Sequence, residues 1–196
     1  MNDAEALAAQ KLALRDRLLT TRRRRPLLEV AESARLIAEH LLATPEVQRA
    51  ATLAAYVSVG TEPGTGPLLD AWEAADRRTF LPLLQADDDL DWAVYRGSQS
   101  LVPARRGLLE PSGPALGLDA VATPDVVLVP GLAADRTGLR LGRGGGSYDR
   151  ALARVPVGTP VLVLLYDDEV LDAVPAGPHD RRVSGAATPT GVAWFS

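Results

Sequence analysis

The sequence contains no cysteine, a single lysine and only two histidines among its 196 residues. The absence of cysteine excludes disulfides, zinc–thiolate sites and a cysteine nucleophile. No apolar run approaches the roughly 20 residues that a membrane-spanning helix needs. The first residues, Met-Asn-Asp-Ala-Glu, do not resemble a secretory signal. We therefore expect a cytoplasmic protein with no membrane partner.

The overall composition is that of an ordinary globular protein. Apolar residues make up 46% of the chain and charged residues 23%, and a chain of this length can bury a substantial core. We expect a single domain over residues 1–196, present as a monomer. The net charge is −4, which gives no global attraction to nucleic acid. We expect no nucleic-acid partner.

The basic residues are distributed unusually, because 20 of the 21 are arginine and Lys11 is the exception. A lone lysine can mark a site that needs a compact ammonium charge rather than a guanidinium fork. The first segment predicts a helix over residues 3–21, on which Lys11 and Arg15 project from the same side. The alternatives are chance and ordinary surface charge. The run 22–25, four arginines, predicts a solvated helix end, with a patch for phosphate or a partner as the alternative.

The most informative segment runs from Arg140 to Asp149, Arg-Leu-Gly-Arg-Gly-Gly-Gly-Ser-Tyr-Asp. It follows the apolar run 125–131, which predicts a buried strand. Glycines let the backbone come close to a ligand, and successive backbone N–H groups form an anion-binding nest. Arginine suits phosphate, and a carboxylate can hold Mg²⁺ together with phosphate oxygens. The segment predicts a cradle for a nucleotide phosphate and its metal ion.

Known phosphate loops do not account for this segment. No Gly-Lys-Ser/Thr follows the glycines, so it is not a Walker A loop. A dinucleotide fingerprint needs its glycines immediately after a strand, whereas about ten residues separate Pro130 from Gly142. The alternative is a flexible surface loop whose glycines only permit turns.

Apolar strands interleaved with helices predict the fold. We expect a three-layer α/β/α sandwich with a mostly parallel central sheet, because runs without polar alternation are typical of strands covered on both faces. The loops at the carboxyl ends of such strands form the ligand crevice. We therefore expect the rim of this crevice to contain Glu62, the glycine-rich loop and residues 167–180. Strands are predicted over 52–58, 79–84, 90–95, 125–131 and 160–166, with short edge strands over 180–188 and 192–195.

The segment 130–150 resembles the signature of the 5-formyltetrahydrofolate cyclo-ligase family, also called methenyltetrahydrofolate synthetases. Further blocks that resemble the family occur in the family's order along nearly the whole chain. These blocks are Lys11-x-x-Leu14-Arg15, Glu62 with Thr65, Glu110-Pro111, and Pro175-x-x-x-His179-Asp180.

The resemblance implies a reaction and a set of site residues. The family converts 5-formyltetrahydrofolate and MgATP to 5,10-methenyltetrahydrofolate, ADP and phosphate, so ATP and Mg²⁺ are the implied cofactors. ATP contacts are implied for Lys11, Arg15, Arg140, Leu141, Gly142, Arg143, Gly144, Gly145, Gly146, Ser147 and Tyr148. Catalytic roles are implied for Arg143 and Tyr148, folate contacts for Val57, Glu62 and Tyr148, and magnesium contacts for Asp149 and Asp180.

Two positions depart from the family pattern. Ser147 stands where a tyrosine is usual, and Ala134 where an aromatic residue is common. Loss of a stacking aromatic costs about 1 kcal/mol of binding, which affects affinity more than chemistry. Two alternatives therefore stay open. One is an ATP-dependent kinase or ligase that acts on another small molecule, and the other is a folate- or nucleotide-binding module without turnover.

Overall fold

The structure is a computed structural model that describes residues 3–195. Five α-helices are found there, together with twelve strands in three sheets. The helices are α1 Asp3–Arg23, α2 Leu27–Ala43, α3 Pro45–Arg49, α4 Gly66–Ala74 and α5 Ser147–Leu152. The strands are β1 Thr52–Ala54, β2 Arg78–Leu84, β3 Leu90–Val94, β4 Leu101–Pro103, β5 Leu109–Pro111, β6 Val126–Pro130, β7 Ala133–Asp135, β8 Arg140–Leu141, β9 Val161–Leu164, β10 Val170–Leu171, β11 Gly185–Thr188 and β12 Gly191–Trp194.

The central sheet has seven strands in the order β12-β11-β9-β6-β1-β2-β3. The five inner strands pair in parallel, and β3 and β12 pair antiparallel at the two edges. The predicted mostly parallel sheet is confirmed. The prediction that 180–188 forms an edge strand is wrong in two respects. The strand begins only at Gly185, and it lies between β9 and β12.

Helices cover both faces of this sheet, as predicted for a three-layer sandwich. Successive side chains of a strand point to opposite faces. Val126 and Leu128 of β6 pack in the cluster with α2, α3 and α4, whereas Val127 and Val129 pack in the cluster with α5. Because both sets are buried, the strand reads as a continuous apolar run. None of the helices within residues 3–195 is long and apolar enough to cross a membrane.

A second, three-stranded sheet of β10, β7 and β8 was not predicted from the sequence. Leu18 of α1 packs in one buried cluster with Leu132, Ala133 and Leu141 from this region. The strands are only two or three residues long, too short for a periodic sequence signal. This packing brings the first helix to the carboxyl end of the central sheet.

The arginine run at the end of α1 is only partly solvated. The side chain of Arg22 is 1% exposed, and its Nε and Nη2 donate to Oε1 and Oε2 of Glu169, each at 2.7 Å. Nη2 also donates to the carbonyl oxygen of Gly131 at 2.7 Å. Arg22 therefore anchors α1 to the segment after β6, and the prediction of a solvated helix end is wrong for this residue.

Candidate functional site

A cleft of about 990 Å³ opens at the carboxyl ends of β1 and β6. β1 and β6 are neighbours in the central sheet. From β1 the chain continues to β2 in one direction across the sheet, and from β6 it continues to β9 in the opposite direction. Ligands of open parallel sheets bind at such a switch point. The cleft wall contains every residue that was predicted for the site, namely Lys11, Arg15, Val57, Glu62, residues 140–149 and Asp180. Their roles remain predictions.

Not all of the expected rim reaches this cleft. Of the segment 167–180, only its last residues, Pro178, His179 and Asp180, line the wall. Asp167 instead accepts hydrogen bonds from the backbone N and Oγ1 of Thr190, at 3.3 and 2.6 Å. The start of the segment therefore caps the turn between β11 and β12.

The glycine-rich loop contacts Arg15 of α1. Arg15 Nε donates to the carbonyl oxygen of Gly142 at 2.9 Å. Gly144 has a φ of +102°, and a Cβ atom at this position would lie 3.4 Å from Arg15 Cζ. Glycine at 144 therefore meets a conformational need, since L side chains rarely adopt this φ, while the space beside Arg15 would admit a Cβ in ordinary contact. The contact supports the prediction that Arg15 belongs to the phosphate site.

Arg140 is the buried cation of the cleft, with a side chain that is 3% exposed. Its Nη1 donates to the carbonyl oxygen of Pro130 at 3.0 Å, and its Nη2 donates to Asp149 Oδ1 at 3.2 Å. Its Nε has no hydrogen-bond partner within residues 3–195. A buried donor without a partner is costly, so the donor set in this part of the cleft suits an anionic ligand.

Lys11 and Asp180 form a second ion pair in the cleft, in addition to that of Arg140 with Asp149. Lys11 Nζ lies 2.5 Å from Asp180 Oδ2, which also accepts from the backbone N of Gly177 at 2.6 Å. Burial alone would raise the pKa of Asp180, but the bonds from Lys11 and Gly177 hold that pKa below its usual range. Asp180 is therefore ionised at neutral pH.

The two predicted magnesium ligands each keep one carboxylate oxygen available. Asp149 accepts from Arg140 and from the backbone N of Arg181 through Oδ1, and Asp180 accepts through Oδ2. The other oxygen of each carboxylate has no hydrogen bond to another described residue. Residues 3–195 hold no cluster of three or more metal-ligating side chains. Mg²⁺ needs only one or two carboxylates when phosphate oxygens and water complete its shell, so the pair fits a magnesium–nucleotide complex.

Glu62 and Arg143 connect the loop after β1 to the glycine-rich loop. Glu62 is 6% exposed, and its Oε2 accepts from the backbone N of Val59 at 2.9 Å. Its Oε1 lies 3.0 Å from Nη2 of Arg143 and accepts from Nε at 3.1 Å. The arginine side chain is 56% exposed. The proposed folate acid and a proposed phosphate arginine thus touch each other.

Tyr148 lines the cleft and contacts the apolar clusters on both faces of the central sheet. Its ring packs against both main apolar clusters, and the Arg140 guanidinium lies 6.0 Å from the ring centroid. Burial, together with the charge of Glu62, raises the pKa of Tyr148, so its hydroxyl stays protonated at working pH. Val57 is also part of the wall.

One wall of the cleft was missed by sequence reasoning. It is apolar, and Glu110 at its edge accepts from the backbone N of Leu84 at 2.9 Å. The apolar residues of this wall gave no functional signal, because leucine in or beside a strand is typical of a core. The wall residues are Pro82, Leu84, Leu90, Leu108 and Leu109.

Comparison with known proteins gives one consistent family. The sequence model described as the 5-formyltetrahydrofolate cyclo-ligase family matches residues 7–189. The chain is 43% identical over 143 residues to a protein of that name from Mycolicibacterium smegmatis, covering 70% of this chain and 73% of the relative. It is 29% identical over 169 residues to the protein of the same name from Escherichia coli K12, covering 82% of this chain and 90% of the relative.

The fold gives the same result. The structure of a 5,10-methenyltetrahydrofolate synthetase from Aquifex aeolicus superimposes with a TM-score of 0.81 at 25% sequence identity. The match covers 94% of this chain and 92% of that protein. The similarity therefore extends over nearly the whole chain.

Proposed function

The chain belongs to the 5-formyltetrahydrofolate cyclo-ligase family, and from this premise we propose how its cleft works. The activity is that of a methenyltetrahydrofolate synthetase, an enzyme that acts on a folate. In the proposed reaction, 5-formyltetrahydrofolate and MgATP give 5,10-methenyltetrahydrofolate, ADP and phosphate. The observation that carries the proposal is the 3.0 Å contact between Arg143 and Glu62, because it joins the proposed nucleotide and folate subsites.

The chemistry needs activation of a weak electrophile. The nitrogen lone pair of a formamide is delocalised into its carbonyl group, so the formyl carbon resists attack. In the proposed first step, the formyl oxygen attacks the γ-phosphorus and ADP leaves, which gives an iminium phosphate. N10 of the same folate then attacks the formyl carbon, N10 loses its proton, and phosphate leaves with the formyl oxygen. Because ring closure is intramolecular, orientation supplies much of the rate.

The nucleotide end supplies positive charge to the phosphates. Phosphoryl transfer depends on positioning and charge neutralisation rather than on a covalent protein nucleophile. We assign Lys11 and Arg15 to the ATP phosphates, and the backbone of residues 142–146 to the same group through its N–H donors. Arg140 and Arg143 complete this end, and Arg143 contacts the transferring phosphoryl group. The absence of cysteine and of a serine–histidine pair is no obstacle.

Mg²⁺, when bound, would neutralise phosphate charge. Asp149 and Asp180 are the residues that would hold it, directly or through water, by the oxygens that are not engaged elsewhere. Both carboxylates already face cations, Arg140 at 3.2 Å and Lys11 at 2.5 Å. In a magnesium–triphosphate complex, the phosphate oxygens would face Arg140 and Lys11, and the magnesium ion would face Asp149 and Asp180. The present ion pairs can therefore be replaced by contacts to the ligand without leaving a charge unpaired.

Glu62, Val57 and Tyr148 are assigned to the folate. A carboxylate accepts hydrogen bonds, and the pterin ring carries an amino group and a ring N–H as donors. Val57 and the ring of Tyr148 supply apolar contact for the flat ring system. Ser147 provides less stacking area than the tyrosine usual in the family, which is expected to weaken binding and to leave the reaction unchanged.

A direct assay tests the proposed function. Purified protein with ATP, Mg²⁺ and 5-formyltetrahydrofolate should produce the near-ultraviolet absorbance of the methenyl product, with one ADP formed per product molecule. Chelation of Mg²⁺ or omission of ATP should abolish the signal. If ATP is consumed only when another small molecule replaces 5-formyltetrahydrofolate, the kinase or ligase alternative is favoured. Binding of both ligands without turnover would favour the binding module. The single domain over 1–196, the monomeric state and the cytoplasmic location stay predictions.

A further inference from the structure

Tyr56 holds a buried hydroxyl group that the assigned roles do not use. The residue lies two positions after the end of β1, is 4% exposed, and forms part of the cleft wall. Its Oη has no hydrogen-bond partner within residues 3–195. Buried polar groups are nearly always bonded, and each exception calls for a reason. A phenylalanine would fill the same space without that cost.

The local surroundings show that a tyrosine hydroxyl can be satisfied in this region. Tyr166 lies two residues after β9, and its hydroxyl donates to the carbonyl oxygen of Thr61, in the loop after β1, at 3.0 Å. Thr61 immediately precedes Glu62, so the loop that carries the proposed folate acid is fixed from one side. Tyr56 stands on the cleft side of that loop and is not used to fix it.

The hydroxyl of Tyr56 is a donor at all working pH values. Burial, followed by the negative charge of Glu62, raises the pKa of Tyr56 well above its usual range. Tyr148 also contributes to that rise, so the three side chains lie close enough to interact electrostatically. Glu62 and Tyr56 both line the cleft, so its wall contains a carboxylate acceptor and a neutral hydroxyl donor.

Resting on the proposed function, we propose that the Tyr56 hydroxyl donates a hydrogen bond to the pterin carbonyl oxygen of the bound folate. The pterin carries its ring N–H and amino donors next to that carbonyl acceptor. Glu62 accepts from the donors, and Tyr56 donates to the adjacent acceptor, so the two side chains match the edge of the ring in polarity. Tyr56 is then a specificity-determining residue for the pterin.

Replacement of the hydroxyl tests this assignment. We expect Tyr56→Phe to raise KM for 5-formyltetrahydrofolate about tenfold, which corresponds to one lost hydrogen bond. The kcat and the KM for ATP should stay within about twofold, because the hydroxyl is assigned to the pterin and not to the phosphates. The thermal midpoint of the ligand-free variant should equal or exceed that of the wild type, since an unpartnered buried hydroxyl is removed. A variant that is at least as stable as the wild type but has a higher KM for the folate shows that the hydroxyl serves the ligand and not the fold.

A substrate analogue tests whether the hydroxyl contacts this edge of the ring. A 4-deoxo analogue of 5-formyltetrahydrofolate lacks both the carbonyl oxygen and the neighbouring ring N–H, so its loss of affinity relative to the parent compound contains a Glu62 part and a Tyr56 part. As a competitive inhibitor it should lose about tenfold less affinity in Tyr56→Phe than in the wild type, because only the Glu62 part remains in the variant. The matched control is Tyr95→Phe, because Tyr95 is also buried at 7% exposure but lies outside the cleft wall. The control should retain the folate KM and the discrimination of the wild type.

Each other outcome overturns the inference. An unchanged folate KM with a raised thermal midpoint means that the ligand does not use the hydroxyl. A lower midpoint with parallel changes in kcat and both KM values means that Tyr56 is only structural. Equal discrimination by the wild type and Tyr56→Phe means that the bond goes elsewhere. If the wild type itself forms no methenyl product, the proposed function fails, which is a separate result.

Discussion

We expect Asp149→Asn to lower kcat roughly 100-fold at saturating ATP and 5-formyltetrahydrofolate, the range found when a charge-stabilising group is removed from a reacting centre. Asparagine keeps an oxygen that can accept from Arg140 and from the backbone N of Arg181, as Asp149 does. It lacks the negative charge that we propose binds Mg²⁺. The magnesium concentration that gives half-maximal turnover should therefore rise as kcat falls. A steady-state magnesium titration measures both values.

The control for this substitution is Asp89→Asn. Asp89 also pairs with an arginine near α5, Arg154, at 2.5 Å, but it is not part of the cleft wall. Loss of this pair should reduce the free energy of unfolding and leave the magnesium titration unchanged. Turnover of Asp149→Asn within threefold of wild type, at an unchanged magnesium midpoint, would contradict the metal role.

Arg143→Gln should have the other large effect. An arginine that contacts a transferring phosphoryl group is worth about 10³-fold or more in kcat, and we expect a loss of that order. The effect should fall mainly on kcat, because the substitution keeps the ATP contacts proposed for Lys11, Arg15 and the loop backbone. Rapid-quench measurement of ADP in a single turnover should show that phosphoryl transfer is the slowed step.

Arg35→Gln is the matched control. Arg35 is 50% exposed and pairs with Glu32 and Glu39 on the outer surface of α2, so the same charge change occurs outside the cleft. Its single-turnover rate should equal that of the wild type. An Arg143→Gln rate within tenfold of the wild type, or a loss confined to folate KM, would contradict a phosphoryl role and leave Arg143 as a partner of Glu62 alone.

Much of the cleft could be predicted from the sequence, because its chemistry lies in short segments. The glycine-rich loop carries its own conformational signal, and Gly144 does adopt a positive φ. Lys11 and Arg15 are linked by helical spacing. The parallel sheet follows from strands that are apolar on both faces, which places the loops after β1 and β6 together.

The remaining features depend on tertiary contacts. The burial of Arg22 needs Glu169, which is 147 residues away in the chain, and no local pattern distinguishes it from the three arginines that follow. The predicted strand 52–58 ends at Ala54. After it, the backbone N of Ser58 donates to Oγ1 of Thr65 at 3.0 Å, and the backbone N of Thr65 donates to Oγ of Ser58 at 3.1 Å. These two hydrogen bonds close the loop that carries Glu62. The apolar cleft wall likewise has no sequence signal that separates it from core.

The path of one oxygen atom tests the central claim most directly. 5-Formyltetrahydrofolate labelled with ¹⁸O in the formyl group should be incubated with the enzyme, MgATP and unlabelled water, and the released phosphate analysed by mass spectrometry. If the cleft phosphorylates the formyl oxygen, each phosphate molecule should carry one ¹⁸O atom. Unlabelled phosphate formed in step with the methenyl product would contradict the account, because the phosphoryl group would then have gone to water.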